Sequence, residues 1–126
     1  MISELRTAIA TIGQGLAGFS GGFWYIEAPA DCVYPYAVFS VISETNSRDS
    51  ARVFEEIDFQ INVYGLSGTN TELLKERVIT AFDDSEGSFS LASYHFERIE
   101  RTLVRPQKLG KVFMITIQYK INLTRR

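Results

Sequence analysis

The chain has 126 residues, 45% of them hydrophobic and 22% charged, which is the composition of a globular protein and excludes a disordered or collagen-like one. Thirteen basic and fifteen acidic residues leave a net charge of −2, which argues against a dedicated nucleic-acid-binding protein. One cysteine cannot form an internal disulfide, no apolar run is long enough to span a membrane, and the first residues lack the order of a secretory signal. A single soluble intracellular domain is expected.

The first half of the chain alternates between helical and strand periodicity. An apolar stripe at 3-4 spacing predicts an amphipathic helix that begins at Ser3, as its N-cap, and stops at Gly13 or Gly15. After a glycine-rich loop, the aromatic run at residues 23–26 predicts a short strand. Residues 36–42 predict a second strand, apolar on both faces and therefore covered on both.

A long hairpin is predicted next. The polar residues 44–50 indicate its tip. Residues 53–64 alternate, with Ile57 and other apolar residues on one face and with Glu56 and Asp58 on the other. At about 3.3 Å per residue this strand spans roughly 40 Å, so part of it is expected to project beyond the core as an arm.

The second half predicts a helix and two strands. A capping box at residues 69–72 opens the helix, and an acidic loop at residues 83–87 ends it. Its predicted buried stripe is Leu74, Val78, Ala81 and Phe82. Residues 94–104 predict a strand with a bulge or a twist, because the apolar parity changes along it. A turn at residues 105–110 leads to strict alternation at residues 113–123.

The order helix, strand, strand, strand, helix, strand, strand, with short connections, predicts an α+β fold. We expect a largely antiparallel, mixed sheet of about five strands, with two helices packed on one face.

No residue pattern predicts a catalytic, cofactor or metal site. Residues 13–18 match G-x-G-x-x-G, but that motif needs a strand before it and a helix starting inside it, and here a helix precedes it. His95 lies within a predicted strand, and Cys32 lacks a nucleophile signature, so a Cys–His dyad is not expected. The acidic loop at residues 83–87 lacks the spaced oxygen ligands of a calcium site. We expect no cofactor, no metal and no enzymatic activity.

The basic residues concentrate near the second strand pair. Arg98, Arg101 and Arg105 belong to this group, but Glu97 and Glu100 interleave with them. A salt-bridged strand or a subunit contact is therefore favoured over a DNA groove. The domain is expected to work by association rather than by turnover.

Five segments carry a family resemblance: VYPYAVF at residues 33–39, QINVYG at 60–65, the helix at 71–82, RTLVRP at 101–106, and the closing strand at 112–123. In this order they resemble the tail completion (tail terminator) proteins of long-tailed bacteriophages and prophages. The resemblance covers nearly the whole chain, and it lies in segment order and short strings rather than in a catalytic signature.

The resemblance implies a small α+β subunit of the virion tail, assembled in the bacterial host cytoplasm. Such subunits form a homo-oligomeric ring, usually a hexamer, at the head-proximal end of the tail tube. The ring stops growth of the tube formed by the major tail tube protein and offers the surface that joins the head–tail connector. DNA passes through the opening without specific binding, and no membrane is involved.

Two polar segments, residues 44–52 and 105–111, are expected to be assembly loops facing neighbouring subunits or the tube. Their interface candidates are Glu44, Asn46, Arg48, Asp49, Arg52, Arg105, Lys108 and Lys111. Glu56 and Asp58 are expected on a solvated or lumen-facing surface, where a lumen without basic excess lets DNA slide.

Three other functions stay open at this point. Within the same class, the chain would be a head–tail stopper or adaptor, or another minor tail protein. A nucleic-acid-binding sheet would use Phe54 and Tyr64, although carboxylates lie between them. A small cone-shaped α+β enzyme or ligand-binding domain would need an acid–base pair inside an apolar pocket. The lining of that pocket would be Trp24, Tyr36, Phe39 and Tyr119.

Overall fold

The order of the elements follows the predicted pattern in a computed structural model that describes residues 1–49 and 52–126. Two helices, five strands and one short 3-10 turn form the fold. In chain order they are α1 (Ser3–Gln14), β1 (Phe23–Tyr25), β2 (Tyr36–Asp49), β3 (Arg52–Gly65), α2 (Gly68–Asp83), the 3-10 turn (Glu86–Ser88), β4 (Tyr94–Leu109) and β5 (Val112–Arg125).

The five strands form one sheet in the order β1-β2-β3-β5-β4. β1 pairs with β2 in parallel, and every other neighbouring pair is antiparallel. The sheet is therefore mixed and largely antiparallel, as predicted. β2, β3, β5 and β4 are long, so four strands of 14 to 16 residues lie side by side while β1 covers only a short part of one edge.

Both helices pack on one face of this sheet. Most of the predicted inward residues of β3 and β5 are buried there, but Val53 and Phe113, near the ends of these strands, are only half-buried. The stripe of α2 is buried as well, except that Ala81 is only partly buried. Phe82 occupies the centre, with its ring centroid 6.5 Å from that of Phe23, 6.2 Å from that of Phe59 and 5.8 Å from that of Tyr119. The strand periodicity therefore identified the face that carries the core.

The helix starts differ from the predictions. Ser67, not Thr69, is the N-cap of α2, and its hydroxyl accepts a hydrogen bond from the backbone N–H of Asn70 at 3.3 Å. Both residues offer a hydroxyl, but Ser67 has the extended backbone that an N-cap needs. α1 begins at Ser3 itself, so the predicted capping role of Ser3 is wrong, whereas the predicted stop at Gly15 is confirmed.

Two segments predicted as a tip and a turn belong to strands instead. β2 continues to Asp49, with residues from Ser43 onward each paired with β3. β4 continues through Pro106 to Leu109, and the turn is reduced to residues 110–111, with Gly110 at φ 63°. Polar side chains do not interrupt a strand whose backbone groups are satisfied by a neighbour. Proline is tolerated at Pro106 because β4 lies at the edge of the sheet.

The hairpin of β2 and β3 does not form a free arm. β5 runs beside β3 as far as the pair of Phe54 and Thr124, so the predicted projection is wrong. The prediction that β2 is covered on both faces holds at Val38 but is wrong at Ile42, which is exposed and lies at a bulge. Ser50, part of the predicted tip, lies outside the described residues.

The register of β4 shifts twice against β5. One shift lies between Phe96 and Arg98, which confirms the predicted bulge, and the second lies between Arg101 and Leu103. In the part of the chain that the structure describes, neither helix has the length and apolar character needed to span a membrane.

Candidate assembly surfaces

The sheet face opposite the helices, called here the open face, carries rows of polar side chains. In one row Ser43, Asp58, Lys120 and Glu100 stand next to each other on β2, β3, β5 and β4. The Ser43 hydroxyl donates to Asp58 Oδ2 at 2.9 Å, and Lys120 Nζ lies 3.2 Å from Glu56 Oε1 in the adjacent row. The hydrogen bond that Lys120 donates to Glu56 raises the pKa of Lys120. Glu56 and Asp58 thus lie on the open face, away from the helices.

Opposite charges alternate across this face. Arg98 donates to Glu100 at 2.7 Å, and the hydroxyl of Thr116 donates to Asn62 Oδ1 at 2.7 Å. Because acidic and basic groups pair with each other, the face has no basic stripe of the kind that binds nucleic-acid phosphates. It is a hydrated and electrically balanced surface.

One end of the open face is aromatic: it carries Trp24, and also a cluster of Tyr34, Tyr36 and Tyr64 that sequence reasoning did not identify. The ring of Tyr36 lies 5.3 Å from that of Tyr34 and 4.9 Å from that of Tyr64. Partial burial raises the pKa of the Tyr36 and Tyr64 hydroxyls. Trp24 and Tyr34 are each 37% exposed. The available signal was that Tyr34 and Tyr36 are two residues apart, which places both on one face of an extended segment.

The predicted interface residues fall at two opposite ends of the sheet. One group, exposed on β2 and at the start of β3, contains Glu44, Asn46, Arg48 and Arg52. The other group, exposed at the far end of β4 and in the turn after it, contains Arg105, Lys108 and Lys111. The backbone of Asp49 ends β2, and its side chain is not among those described. The structure therefore separates the two groups, and all of these residues except Lys111, which lies in the turn, stand on paired strands rather than on the loops expected.

Two long strand edges frame these surfaces. β1 pairs with Ala37 to Phe39 of β2, and beyond that point no described strand covers the outer edge of β2. β4 is the edge strand on the opposite side of the sheet. Unpaired N–H and C=O groups on such edges are able to bind a further strand.

The residues weighed for catalysis do not converge. Phe39 and Tyr119 are fully buried under the helices, whereas Trp24 and Tyr36 belong to the open face, so the predicted lining of an enzyme pocket is wrong. His95 is exposed on edge strand β4, and Cys32 donates a weak hydrogen bond to Gly21 O beside β1, at the other edge of the sheet.

Asp83, the last residue of α2, makes a structural contact with the sheet. The buried hydroxyl of Tyr119 donates to Asp83 Oδ1 at 2.8 Å, and Arg101 lies 3.5 Å from Asp83 Oδ2. Burial of the Tyr119 hydroxyl raises its pKa most, and the hydrogen bond to Asp83 raises it further. Among the described residues, no three acidic, histidine or cysteine side chains are grouped to hold a metal ion. Asp83 therefore ties the end of α2 to β5 and β4.

The start of α2 and the hairpin of β4 and β5 border a cleft of about 600 Å³. Its walls include Glu72, Gln107, Lys108 and Phe113. Lys108 lies over the ring of Phe113 at 5.4 Å from its centroid. The cleft is open to solvent.

Comparison with known proteins gives a match in structure. No protein-family model matches the chain, and no curated protein matches it. A solved structure of the virion of a native gene transfer agent particle contains a chain similar to this one, with a TM-score of 0.75 and 12% sequence identity. The similarity covers 95% of this chain and 94% of that chain. At this identity the match establishes a shared fold over the whole domain.

Proposed function

We propose that this protein is a structural subunit of a phage-like particle. The observation that carries the proposal is the match in fold to a virion chain over 95% of the length. The order of segments described above supports the same class independently of the structure. A subunit of this kind works by association, and we propose no enzymatic activity for it.

Within that class, we propose a tail completion protein. In this role it forms a ring, hexameric in the family that the sequence resembles, on the head-proximal end of the tail tube. It ends polymerisation of the tube protein and offers a surface to the head–tail connector. Its place is then in the virion, at the junction of head and tail.

The surfaces described above support this role. A ring interface needs two different patches on each subunit, and the chain has two different open strand edges. The balanced open face, with Lys120 beside Glu56, is suited to a lumen through which DNA slides. The polar end of β4, with Arg105 and Lys108, is then available for the tube or the connector.

A polymerisation assay tests the proposed role. Tail tube protein from the same particle is allowed to polymerise with and without the purified chain, and tube lengths are measured by electron microscopy. A tail completion protein stops elongation, so tubes stay short and do not resume growth when more tube protein is added. Unchanged growth, with binding to connector complexes instead, would assign the chain to the stoppers or adaptors.

A further inference from the structure

The outer edges of β2 and β4 have complementary positions and directions. β2 runs opposite to β3, β3 opposite to β5, and β5 opposite to β4, so β4 runs opposite to β2. When copies of the chain stand side by side in one orientation, β4 of one copy lies antiparallel to β2 of the next. Antiparallel pairing is the commoner and slightly more stable arrangement.

Both edges are closed at the same end of the sheet. At that end β1 covers Ala37 to Phe39 of β2. On β4 the same rows contain Pro106, whose ring nitrogen has no hydrogen to donate to another strand, and a bulge precedes it between Arg101 and Leu103. At the other end of the sheet, residues 43–48 of β2 form a regular ladder with β3, and Arg98–Arg101 form a regular run on β4.

The uncovered parts of the β2 and β4 edges also lie at the same level along the strands. Thr45 stands in one row with Glu56, Asn122 and Arg98, and the adjacent polar row runs from Ser43 to Glu100. A copy placed beside the first at the same height therefore brings Thr45 opposite Arg98 and Ser43 opposite Glu100. In this register no like charges stand opposite each other, which is the condition for favourable cross-strand pairs.

We propose that residues 43–47 of β2 pair with His95–Glu100 of β4 in a second copy of this chain, so that Asn46 stands opposite Phe96. Repeating this contact makes one antiparallel sheet that runs through all subunits, with the helices on one side and the polar rows on the other. The contact is heterologous, so it closes when the rotation per subunit completes a ring. The inference rests on the proposed ring and names its junction.

Backbone direction along β2 identifies a substitution that blocks this edge alone. Ala37 N donates to Gly22 O and Phe39 O accepts from Ile26 N, so both residues direct their backbone groups outward. Alternation, with the one-residue shift at the Ile42 bulge, places the N–H of Asn46 outward as well. Asn46→Pro therefore removes a donor from the edge and leaves the ladder with β3 intact.

The first test compares Asn46→Pro with Val104→Pro, a matched change on the half of β4 that Pro106 already closes, two residues before Pro106 and in the row of Phe39. Rings are counted by mass photometry and by imaging on tail tubes, and folding is checked by urea denaturation. Asn46→Pro should raise the concentration at which rings form at least about fivefold, the factor that one net hydrogen bond is worth. Val104→Pro should form rings as the unmodified chain does.

The second test uses disulfides and does not depend on proline. Within one subunit Thr45 and Arg98 are separated by β3 and β5, about 14 Å, which is too far for a disulfide. In the proposed junction they face each other across one strand spacing. With Cys32→Ser as background, Thr45→Cys plus Arg98→Cys should give a ladder of cross-linked oligomers on oxidation. Thr45→Cys plus Arg105→Cys should stay monomeric on the gel.

The outcomes separate the junction from the ring. The junction would be overturned if the unmodified chain forms rings, Asn46→Pro forms them equally well, and Thr45→Cys plus Arg98→Cys gives no ladder. The proposed function would then still stand. An equal ladder from both cysteine pairs would also overturn it. If the unmodified chain forms no ring at any concentration or on tubes, the proposed function fails and the junction fails with it.

Discussion

Replacing Phe82 by alanine tests which face of the sheet carries the core, and therefore which face is free for assembly. The Phe82 side chain is fully buried, and three aromatic rings within 6.5 Å surround it, one each from β1, β3 and β5. Because these rings stand on a rigid sheet, they cannot collapse into the cavity. The loss of folding free energy should lie near the middle of the range for Phe→Ala, about 4 kcal/mol. A domain of this size has roughly 6–19 kcal/mol in total.

Urea denaturation monitored by the fluorescence of Trp24 measures this loss. With a slope of about 1.5 kcal/mol/M, the midpoint of Phe82→Ala should fall by roughly 2.5 M while the slope stays the same. Leu73→Ala is the matched control on the same helix, because Leu73 is 50% exposed, and it should cost no more than about 0.5 kcal/mol. Equal midpoints for the two variants would refute the packing of α2 against the sheet.

Two further variants test local contacts. Tyr119→Phe removes the donor to Asp83 and should cost about 1 kcal/mol at neutral pH. The pKa of Tyr119 is raised in the folded chain above its ordinary value of 10.0, so its contribution to stability is full below pH 10 and falls as the pH rises further. Tyr119→Phe should therefore lose less stability between pH 10 and 12 than the unmodified chain. Urea denaturation at each pH measures this difference. Gly65→Ala places a methyl group against the hydroxyl of Thr71, in the first turn of α2, and should lower the free energy of unfolding by about 1–3 kcal/mol. Gly87→Ala, which meets open space, should change the thermal midpoint little, and similar midpoints for both glycine variants would argue against this close approach.

Burial explains which parts of the fold the sequence predicted. β5 and most of β3 must place apolar residues on one face, so their alternation is strict and their inward residues were all identified. The ends of β2 and β4 carry polar side chains on both faces, and only backbone pairing with the next strand along the chain makes them strands. Arg48 pairs with Val53 and Lys108 with Phe113, and neither contact leaves a pattern in the local sequence.

Less of the candidate assembly surfaces could be predicted, because these surfaces also depend on strand pairing that the local sequence does not show. Glu44, Asn46 and Lys108 were identified as exposed polar residues, but not as members of edge strands, because an edge is defined by the order of strands in the sheet. The aromatic cluster around Tyr36 depends on its contact with Tyr64, which lies on β3, 28 positions further along the sequence. Periodicity assigns residues to faces, and topology decides which residues on a face meet.

Imaging of the purified chain mixed with tail tubes from the same particle tests the central claim most directly. The account predicts closed rings, of six copies in the family that the sequence resembles, seated on one end of each tube and lined by the polar rows that include Glu56 and Lys120. Tubes with bare ends beside a chain that remains monomeric would contradict it.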